Sequence, residues 1–467
     1  MSKSPRTVGL WFISAGAVII AGSVWGLARD VGWIAQPFYA WIWWGYILLL
    51  DGYCVVRRGH SMLTTRGRIV PLIAVWSVSF WFFFEILNLR FQNWYYVGVP
   101  RIQSPAHVAR SMAFVFICFS TVFIGIFVTA EALAAAGVWR NLCSRRLALP
   151  GWVGYATQGL GAVMALAAVC FPYYLAPLIW GSFTFLIDPW NHRRGARSIL
   201  RDVEHGDWGA IARLLLAGLI CGFFWESMNF FAPQKWIYTV RGLEDFKLFE
   251  MPLLGFLGFP GLALDCVAAF ALASSWFIGN RTWEHPADLS YEVLPTRAPR
   301  RAVLVLSMPL HGLFWLLALG LYLVVGSTFG SVEVLLNDLS LTERERAVLN
   351  DMGITRPRQL LAATREGNTR AVLQRGASID DERLSRIVKE TQLFTFKGIG
   401  AHHGRALQRI GVSTVRDLAE YEPETLHRAL ARDALSRGRR VPRLDMVRVW
   451  VMASQDRGIV LRLADQG

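Results

Sequence analysis

The sequence predicts an all-α protein that crosses a membrane several times. Of its 467 residues, 54% are hydrophobic and 20 are tryptophan, and the mean hydropathy is +0.36. Several apolar stretches reach about 20 residues, which is the length of a helix that crosses a bilayer. These stretches are continuous and do not alternate with period two, so they favour helices over a membrane β-barrel.

The apolar runs and the charged breaks between them predict about nine spans. The first begins after a basic N-terminus without a small-x-small cleavage site, so we expect a retained helix rather than a signal peptide. The predicted spans are 8–28, 37–56, 69–89, 108–136, 153–172, 174–189, 209–231, 252–279 and 301–326.

Arginine-rich connections alternate with arginine-poor ones, which predicts a multi-pass protein of the cell (inner) membrane. The rich ones are 57–68, 140–146, 191–201 and 297–301. They and the N-terminus should face the cytoplasm, and this bias explains much of the net charge of +14, so we do not expect a nucleic-acid partner. Nine spans would then leave the C-terminus outside the cytoplasm, unless one span is re-entrant or cleaved.

An internal repeat organises the membrane region. "WGYILLLDGYCVVRRG" (44–59) matches "WGSFTFLIDPWNHRRG" (180–195), and "FFFEILNLRFQNWYY" (82–96) matches "FFWESMNFFAPQKWIY" (223–238). Each copy occupies four predicted spans, and an even number gives both copies the same orientation. The sequence therefore predicts two parallel four-helix repeats about an axis along the membrane normal.

Four regions follow from this organisation. They are a first membrane repeat (1–145), a second membrane repeat (146–285), a ninth span with its linker (286–330), and a polar, soluble C-terminal domain (335–467).

The C-terminal domain contains a duplication of its own. "LNDMGITRPRQLLAATREG" (349–367) parallels "LQRIGVSTVRDLAEYEPE" (407–424), and "FKGIGAHHGRAL" (396–407) has a Gly-h-Gly turn. This pattern resembles a tandem helix-hairpin-helix domain. In such a turn Gly398 and Gly400 could present N–H groups to a phosphate, with Arg405 adding charge. The alternative, which we favour, is a module that binds a protein partner.

The repeated Glu-x-x-Asn element is the main candidate for chemistry, with Glu226 as the acid and Asn229 as the residue that orients it. Glu226 and Asn229 lie three apart among aromatic residues, and Glu85 and Asn88 repeat the arrangement. A carboxyl group in such surroundings is desolvated and favours its protonated form, which could protonate an alkene. The aromatic rings could then stabilise a carbocation. The candidate substrate-binding residues are Trp225, Trp236, Tyr238, Trp94 and Tyr96.

Two further polar residues could complete this site. Asp265 follows a Gly-Phe-Pro sequence that should break the eighth span, and His311 lies near the middle of the ninth. Either one could accept a proton or activate water beside Glu226. Structural alternatives stay open, because Glu and Asn could tie the two repeats together, and the Trp-x-Tyr pairs could form an interfacial belt.

The two inner aspartates favour a structural role. Asp51 precedes Arg57 by six residues, and Asp188 precedes Arg193 by five. An arginine that turns back to the aspartate would form an ion pair at the inner interface, so we expect the structural pairs Asp51–Arg57 and Asp188–Arg193.

The repeated short spans, intramembrane Glu and Asn, and Trp-x-Tyr resemble the membrane-embedded lycopene cyclase and carotenoid hydratase group, although the Pro-x-Glu-Glu signature of that group is missing. The resemblance implies acid-catalysed hydration, cyclisation or isomerisation of an isoprenoid lipid by a lyase or isomerase without a cofactor or metal. Two alternatives stay open. One is a transporter or lipid-handling protein that uses two layers of carboxylates, and the other is a membrane anchor for the C-terminal domain.

Overall fold

The computed structural model is mostly helical, with 74% of residues in helices, which confirms the all-α class. Two short two-stranded sheets connect the helices. The structure describes residues 4–100, 104–240, 247–295, 301–324, 330–331, 333–365 and 379–455.

In the described part of the membrane region, the helices and strands follow in this order. They are α1 (Pro5–Ala28), α2 (Gly32–Ala35), α3 (Phe38–Arg58), α4 (Met62–Thr65), α5 (Val70–Phe91), β1 (Trp94–Val97), α6 (Pro105–Ala135), α7 (Gly151–Cys170), α8 (Pro172–Leu175), α9 (Ser182–Arg193), α10 (Ile199–His205), α11 (Trp208–Phe231), β2 (Lys235–Tyr238), β3 (Lys247–Leu248), β4 (Met251–Pro252), α12 (Gly258–Phe277) and α13 (Arg301–Val324).

Within the described ranges, seven helices are long and apolar enough to cross a membrane. Each coincides with one of the nine predicted spans. They are Pro5–Ala28, Phe38–Arg58, Gly67–Phe91, Pro105–Ala135, Gly151–Cys170, Trp208–Phe231 and Leu253–Phe277.

The sixth predicted span, 174–189, is not a continuous helix. It consists of α8, a 3₁₀ turn over Ala176–Ile179, and α9, which has only 12 residues. Pro177 ends the first piece, and Gly181 with φ +91° redirects the chain into α9. The ninth predicted span, 301–326, corresponds to α13, a single helix over Arg301–Val324.

The predicted break in the eighth span is wrong in position. Gly258-Phe259-Pro260 forms the first turn of α12, after a 3₁₀ turn over Leu253–Leu257. Proline fits a first helical turn because the N–H it lacks would have no intrahelical partner there. Asp265 therefore lies within a regular helix, two turns after its start.

Small residues allow α1 and α3 to pack closely. A Cβ atom added at Gly16 would lie 2.6 Å from the carbonyl oxygen of Gly45, and one at Gly52 would lie 2.6 Å from that of Gly9. Side chains at these positions would separate the two helices. This is the close packing that membrane helices achieve through glycine.

The two ends of the helical bundle differ. The arginine-rich connections that the structure describes in full, 57–68, 140–146 and 191–201, lie at one end, where Arg66 pairs with Glu131 and Arg58 with Asp288. At the other end, β1 and β2 pair antiparallel, with Trp94 opposite Tyr238 and Tyr95 opposite Ile237. The strands thus join the chain segments that follow α5 and α11.

The C-terminal domain packs against the strand end of the bundle. Its described helices surround a hydrophobic core that also contains Tyr95, Val97 and Ile237. The helices are α14 (Glu343–Asp351), α15 (Pro357–Arg365), α16 (Asp381–Thr395), α17 (Gly400–Arg409), α18 (Val415–Ala419), α19 (Pro423–Ser436) and α20 (Leu444–Ser454).

Candidate functional site

Glu85 and Glu226 lie near the ends of α5 and α11, beneath the β1–β2 pair, and are 7% and 0% exposed. Oε1 of Glu85 accepts hydrogen bonds from the Tyr96 hydroxyl at 2.5 Å and from Trp81 Nε1 at 3.1 Å. Tyr96 belongs to the strand that follows the same helix. The carboxyl group therefore fastens the end of α5 to β1.

Glu226 has the matching arrangement in the second copy. Its Oε1 accepts from the Tyr238 hydroxyl at 3.0 Å and from Trp236 Nε1 at 3.3 Å. In both Glu85 and Glu226, the other carboxyl oxygen, Oε2, is buried and has no hydrogen-bond partner among the described residues. Each of these two buried carboxyl groups thus has one oxygen without a hydrogen-bond partner among the described residues.

The aromatic residues around Glu226 pack against each other. The rings of Tyr39 and Trp236 meet edge to face at 5.2 Å, and those of Trp43 and Trp225 lie 4.9 Å apart. Such contacts stabilise the bundle beyond the area they bury. Trp225, a predicted substrate-binding residue, is therefore part of the hydrophobic core of the bundle.

The two asparagines bind backbone groups rather than the glutamates. Asn88 Nδ2 donates to the Trp94 carbonyl at 3.0 Å, and its Oδ1 accepts from the Asn93 amide at 2.9 Å. Asn229 Nδ2 donates to the Trp236 carbonyl at 2.9 Å, and its Oδ1 accepts from the Trp236 amide at 3.0 Å. Each asparagine thus stabilises the turn from helix to strand, which is a different role from the predicted orientation of Glu226.

The predicted partners of Glu226 are bonded elsewhere. Both carboxylate oxygens of Asp265 accept bonds at 2.7 Å, one from the Gly181 amide and the other from the amide and hydroxyl of Thr184. Asp265 thereby caps the N-terminus of α9, where the sixth predicted span is broken. His311 Nε2 lies 2.9 Å from Ser79 Oγ, and its ring stacks on Trp76. The structure does not bring Asp265 or His311 into hydrogen-bond contact with Glu226.

The predicted ion pairs of the inner aspartates are not formed. Asp51 accepts from Ser61 Oγ at 2.6 Å and from the Leu63 amide at 3.0 Å, whereas Arg57 is exposed. Six residues of helix separate Asp51 from Arg57 by about 9 Å along the axis. The serine that caps α4 lies closer, so Asp51 binds it instead.

Asp188 repeats this arrangement in the second copy. It accepts from Ser198 Oγ at 2.8 Å and from the amides of Ile199 and Leu200, all at the start of α10. Arg193 instead donates to Gln158 at 2.8 Å. Both aspartates are structural, as predicted, but they hold short helices at the arginine-rich end rather than arginines.

The Gly-h-Gly turn of the C-terminal domain is buried by other parts of the chain. Gly398 and Gly400 are buried and have φ of +75° and +66°. A Cβ atom at Gly398 would lie 2.1 Å from Val97 of β1, and one at Gly400 would lie 2.5 Å from Ser331. The predicted phosphate contact is therefore corrected, because the turn packs on the membrane domain. Arg405 donates to the Asp338 carbonyl at 3.1 Å.

A charge cluster, formed by Glu250, Lys235 and Lys397, connects the two domains beside this turn. Oε1 of Glu250 lies 2.9 Å from Nζ of Lys235 and 3.0 Å from Nζ of Lys397. Burial alone would raise the pKa of Glu250, but the two ammonium groups outweigh it and lower the pKa to about 2. The pKa of Lys235 is also lowered, because burial outweighs the attraction of Glu250.

Sequence reasoning missed this cluster and the role of Tyr95. The Tyr95 hydroxyl donates to the Lys397 carbonyl at 3.0 Å, and Trp450 Nε1 donates to the same oxygen at 3.1 Å. The available signal was Glu250 itself, a lone acid in the apolar sequence "KLFEMPLL". An acid in such a sequence requires a partner, but the sequence does not identify it.

Two small cavities lie at the arginine-rich end. One of about 20 Å³ is lined by Glu131, Arg213 and Asp288, and one of about 10 Å³ by Arg197 and Asn280, among others. Each is large enough for about one water molecule. Neither contains Glu85 or Glu226. In the described ranges, no group of three or more His, Cys, Asp or Glu residues could hold a metal ion.

Comparison with known proteins identifies part of the chain. No curated protein and no solved structure matches the sequence. Residues 339–457, which form most of the C-terminal domain, match a family described as a domain of unknown function, DUF4332.

Proposed function

We propose that the protein is a membrane scaffold that holds its C-terminal domain in a fixed position at the bundle end opposite the arginine-rich connections. The observation that supports this most directly is the shared hydrophobic core. Tyr95 and Ile237 come from the membrane domain, yet both are 0% exposed within the core of the C-terminal domain. A loosely tethered domain would not need such contacts.

Polar contacts around this core support a fixed arrangement. Arg356 pairs with Asp30 at 3.2 Å, and Arg443 donates to the Gln92 carbonyl at 3.0 Å. Together with the Glu250 cluster, these contacts surround the shared core with hydrogen bonds. A hydrophobic centre with a polar rim is typical of a stable interface.

The membrane domain, in this proposal, is a pair of parallel repeats joined by β1 and β2. The strand register supports it, because Trp94 faces Tyr238 and Tyr96 faces Trp236, the exchange that a two-fold axis produces. The repeated contacts of the asparagines with the turns support it as well. Each repeat contributes one strand to the surface that receives the C-terminal domain.

The C-terminal domain itself is proposed to be a helix-hairpin-helix-like interaction module. Its turn has positive φ values at Gly398 and Gly400, and both glycines pack against other parts of this chain, Val97 and Ser331. The positive-inside rule would place the arginine-rich end in the cytoplasm of a cell (inner) membrane protein. The module would then lie on the other side, where it could bind a protein partner.

Cutting the chain between the two domains tests the proposed scaffold. A site-specific protease sequence is inserted between residues 325 and 329 of the full-length protein in detergent. After cleavage, the C-terminal domain should stay bound in the wild type and dissociate in the double variant Tyr95→Ala/Ile237→Ala. A conservative variant, Tyr95→Phe, removes only the hydroxyl and should stay bound. Dissociation of the cleaved wild type would overturn the proposal.

A second candidate is acid catalysis on an isoprenoid lipid at Glu226. It is favoured by the buried, unpartnered Oε2 of Glu226 among aromatic rings. In this proposal a protonated Glu226 donates its proton to an alkene, and its carboxylate then takes a proton from a neighbouring carbon of the carbocation. An isomerised alkene leaves and the acid is restored without a cofactor. Neutral lipids from cells that express the wild type, Glu226→Gln or Glu85→Gln are compared with those of a deletion strain. Catalysis predicts a product that only Glu226→Gln loses, and identical lipid profiles in the wild type and the deletion strain would exclude it.

A further inference from the structure

The connection between α19 and α20, residues 437–443, has the sequence "RGRRVPR" and so contains four arginines. Arg437 pairs with Asp433 at 3.0 Å, and Arg443 donates to the Gln92 carbonyl. Arg439 and Arg440 are exposed, and no hydrogen bond or ion pair engages either guanidinium among the described residues. We call these two residues the arginine pair.

The contact of Arg443 shows where this connection lies along the axis of the helical bundle. Gln92 is the C-terminal cap of α5, one of the seven candidate spans. Thr239, which follows β2, also lies within 3.3 Å of Arg443. The arginine pair is only three and four residues from Arg443 along the chain. It therefore lies close to the level at which the apolar part of the bundle ends.

Exposed aromatic residues lie at the same level on the neighbouring edge of the bundle. Arg448 of α20 interacts electrostatically with Tyr173 of α8. Phe171, Tyr173 and Tyr174 are 62%, 51% and 77% exposed, and they lie at the end of α7 and in the short helix α8. Tyrosine side chains in such positions are typical of the membrane–water interface. The C-terminal domain therefore extends over a lipid-facing edge.

The turn and the positive charge of residues 437–443 are suited to a position at the membrane–water interface. Gly438 with φ +60° turns the chain, and His427 Nε2 lies 3.0 Å from the Pro442 carbonyl. Leu435, just before the turn, is 70% exposed, so an apolar side chain accompanies the cations. The pKa of His402 is lowered, first by burial and then by the positive charges of Arg439, Arg409 and Arg405, while Asp433 acts in the opposite direction.

We propose that the arginine pair, Arg439 and Arg440, binds the phosphate headgroup of anionic phospholipids in the leaflet beneath the C-terminal domain. A guanidinium group presents a planar fork of N–H donors that matches two phosphate oxygens. An anionic bilayer attracts each nearby arginine enough to change the binding constant about fivefold. This inference goes beyond the proposed scaffold, since lipid binding needs no partner protein.

Native mass spectrometry of the full-length protein in a non-ionic detergent tests this inference. The wild type is titrated with phosphatidylglycerol and, separately, with zwitterionic phosphatidylcholine. The wild type should prefer phosphatidylglycerol, and Arg439→Gln/Arg440→Gln should lose this preference and bind the two lipids with equal affinity. A control of equal charge, Arg386→Gln/Arg416→Gln, changes exposed residues of α16 and α18 and should keep the wild-type affinity.

Three outcomes would overturn the proposal. The first is equal binding of the two lipids by the wild type, and the second is equal weakening in the control variant. The third is loss of binding to a DNA duplex in Arg439→Gln/Arg440→Gln with unchanged lipid affinity, which would assign the arginine pair to nucleic acid. The variant Arg439→Lys/Arg440→Lys serves as a second test in case Arg439→Gln/Arg440→Gln does not fold. It keeps both positive charges, so its affinity for phosphatidylglycerol should lie between those of the wild type and Arg439→Gln/Arg440→Gln.

Discussion

The two copies of the Glu-x-x-Asn element form nearly the same local structure. In each, a glutamate accepts from the tyrosine of the following strand, and an asparagine holds the turn between helix and strand. In each, an inner aspartate accepts from the serine that caps the next short helix. The duplicated polar residues therefore have duplicated structural contacts, and recurrence alone does not identify a catalytic group.

The copies differ in residues that are not duplicated. In the first copy α3 continues through Gly45, whereas in the second the corresponding Gly181 separates α8 from α9, and Asp265 caps the new helix start. At the first position of β2 the second copy has Lys235, which pairs with Glu250, where the first copy has the neutral Asn93. The asymmetry of the membrane domain thus involves two unique acids, Asp265, which caps the helix after the break, and Glu250, which connects the C-terminal domain.

The largest effect is expected for the cap of the broken span. Replacing Asp265 with alanine leaves the amides of Gly181 and Thr184 and the Thr184 hydroxyl without their buried acceptor. We expect a loss of about 4 kcal/mol in the free energy of unfolding, measured by denaturant titration in detergent. Thr184→Val removes only one of the three bonds and should cost about 1 kcal/mol. Equal losses in the two variants would show that Asp265 does not hold α9.

The charge cluster unique to the second copy predicts a pH dependence of docking. Because the pKa of Glu250 is lowered from 4.5 to about 2, its contribution is complete above pH 4.5 and is lost as the pH falls towards 2. We expect the affinity between the cleaved domains to fall over this window by the share of the shift that comes from Lys397, because Lys235 stays beside Glu250 when the domains separate.

Sedimentation of the cleaved protein at a series of pH values measures this affinity. Glu250→Gln should bind more weakly at pH 7 and show little change between pH 4.5 and pH 2. Asn93→Asp adds a carboxylate at the corresponding position of the first copy, away from the two lysines, and serves as a control for added acid. An identical pH profile in Glu250→Gln and the wild type would contradict this assignment.

The asparagines test whether the two copies are equivalent. Asn88→Ala and Asn229→Ala each remove a side chain that both donates to and accepts from the backbone of the following strand. We expect each to cost about 2 kcal/mol in the free energy of unfolding, with the two values close together. A much larger loss in the free energy of unfolding at one position would show that the two asparagines do not contribute equally to stability. Denaturant titration in detergent again provides the measurement.

The sequence alone predicts those features that depend on local composition. The seven candidate spans follow from apolar runs, and the need of Asp51 and Asp188 for hydrogen-bond partners follows from their place within predicted spans. The partners of these aspartates were predicted wrongly, because a serine that caps the next helix lies closer than an arginine one and a half turns away. The position of a charged residue within an apolar span shows that it needs a partner, but it does not identify that partner.

Contacts between distant parts of the chain lie beyond such reasoning. Lys397 lies 147 residues from Glu250 and 302 residues from Tyr95, and both contacts depend on how two domains meet. The burial of Gly398 against Val97 has the same origin. The Gly-h-Gly pattern predicts a tight turn, but only the packing of the domains shows which surface covers it.

The smallest stability effect is expected at the glutamates, and it separates the scaffold from the enzyme. Glu85→Gln and Glu226→Gln keep an oxygen that can accept from the same tyrosine and tryptophan donors. Each should therefore change the free energy of unfolding by less than about 1 kcal/mol. If both carboxyl groups only fasten helix to strand, the two variants should behave alike in every assay. A loss of a lipid product in Glu226→Gln, at unchanged stability and with Glu85→Gln still active, would show that the second copy uses its free carboxyl oxygen for chemistry.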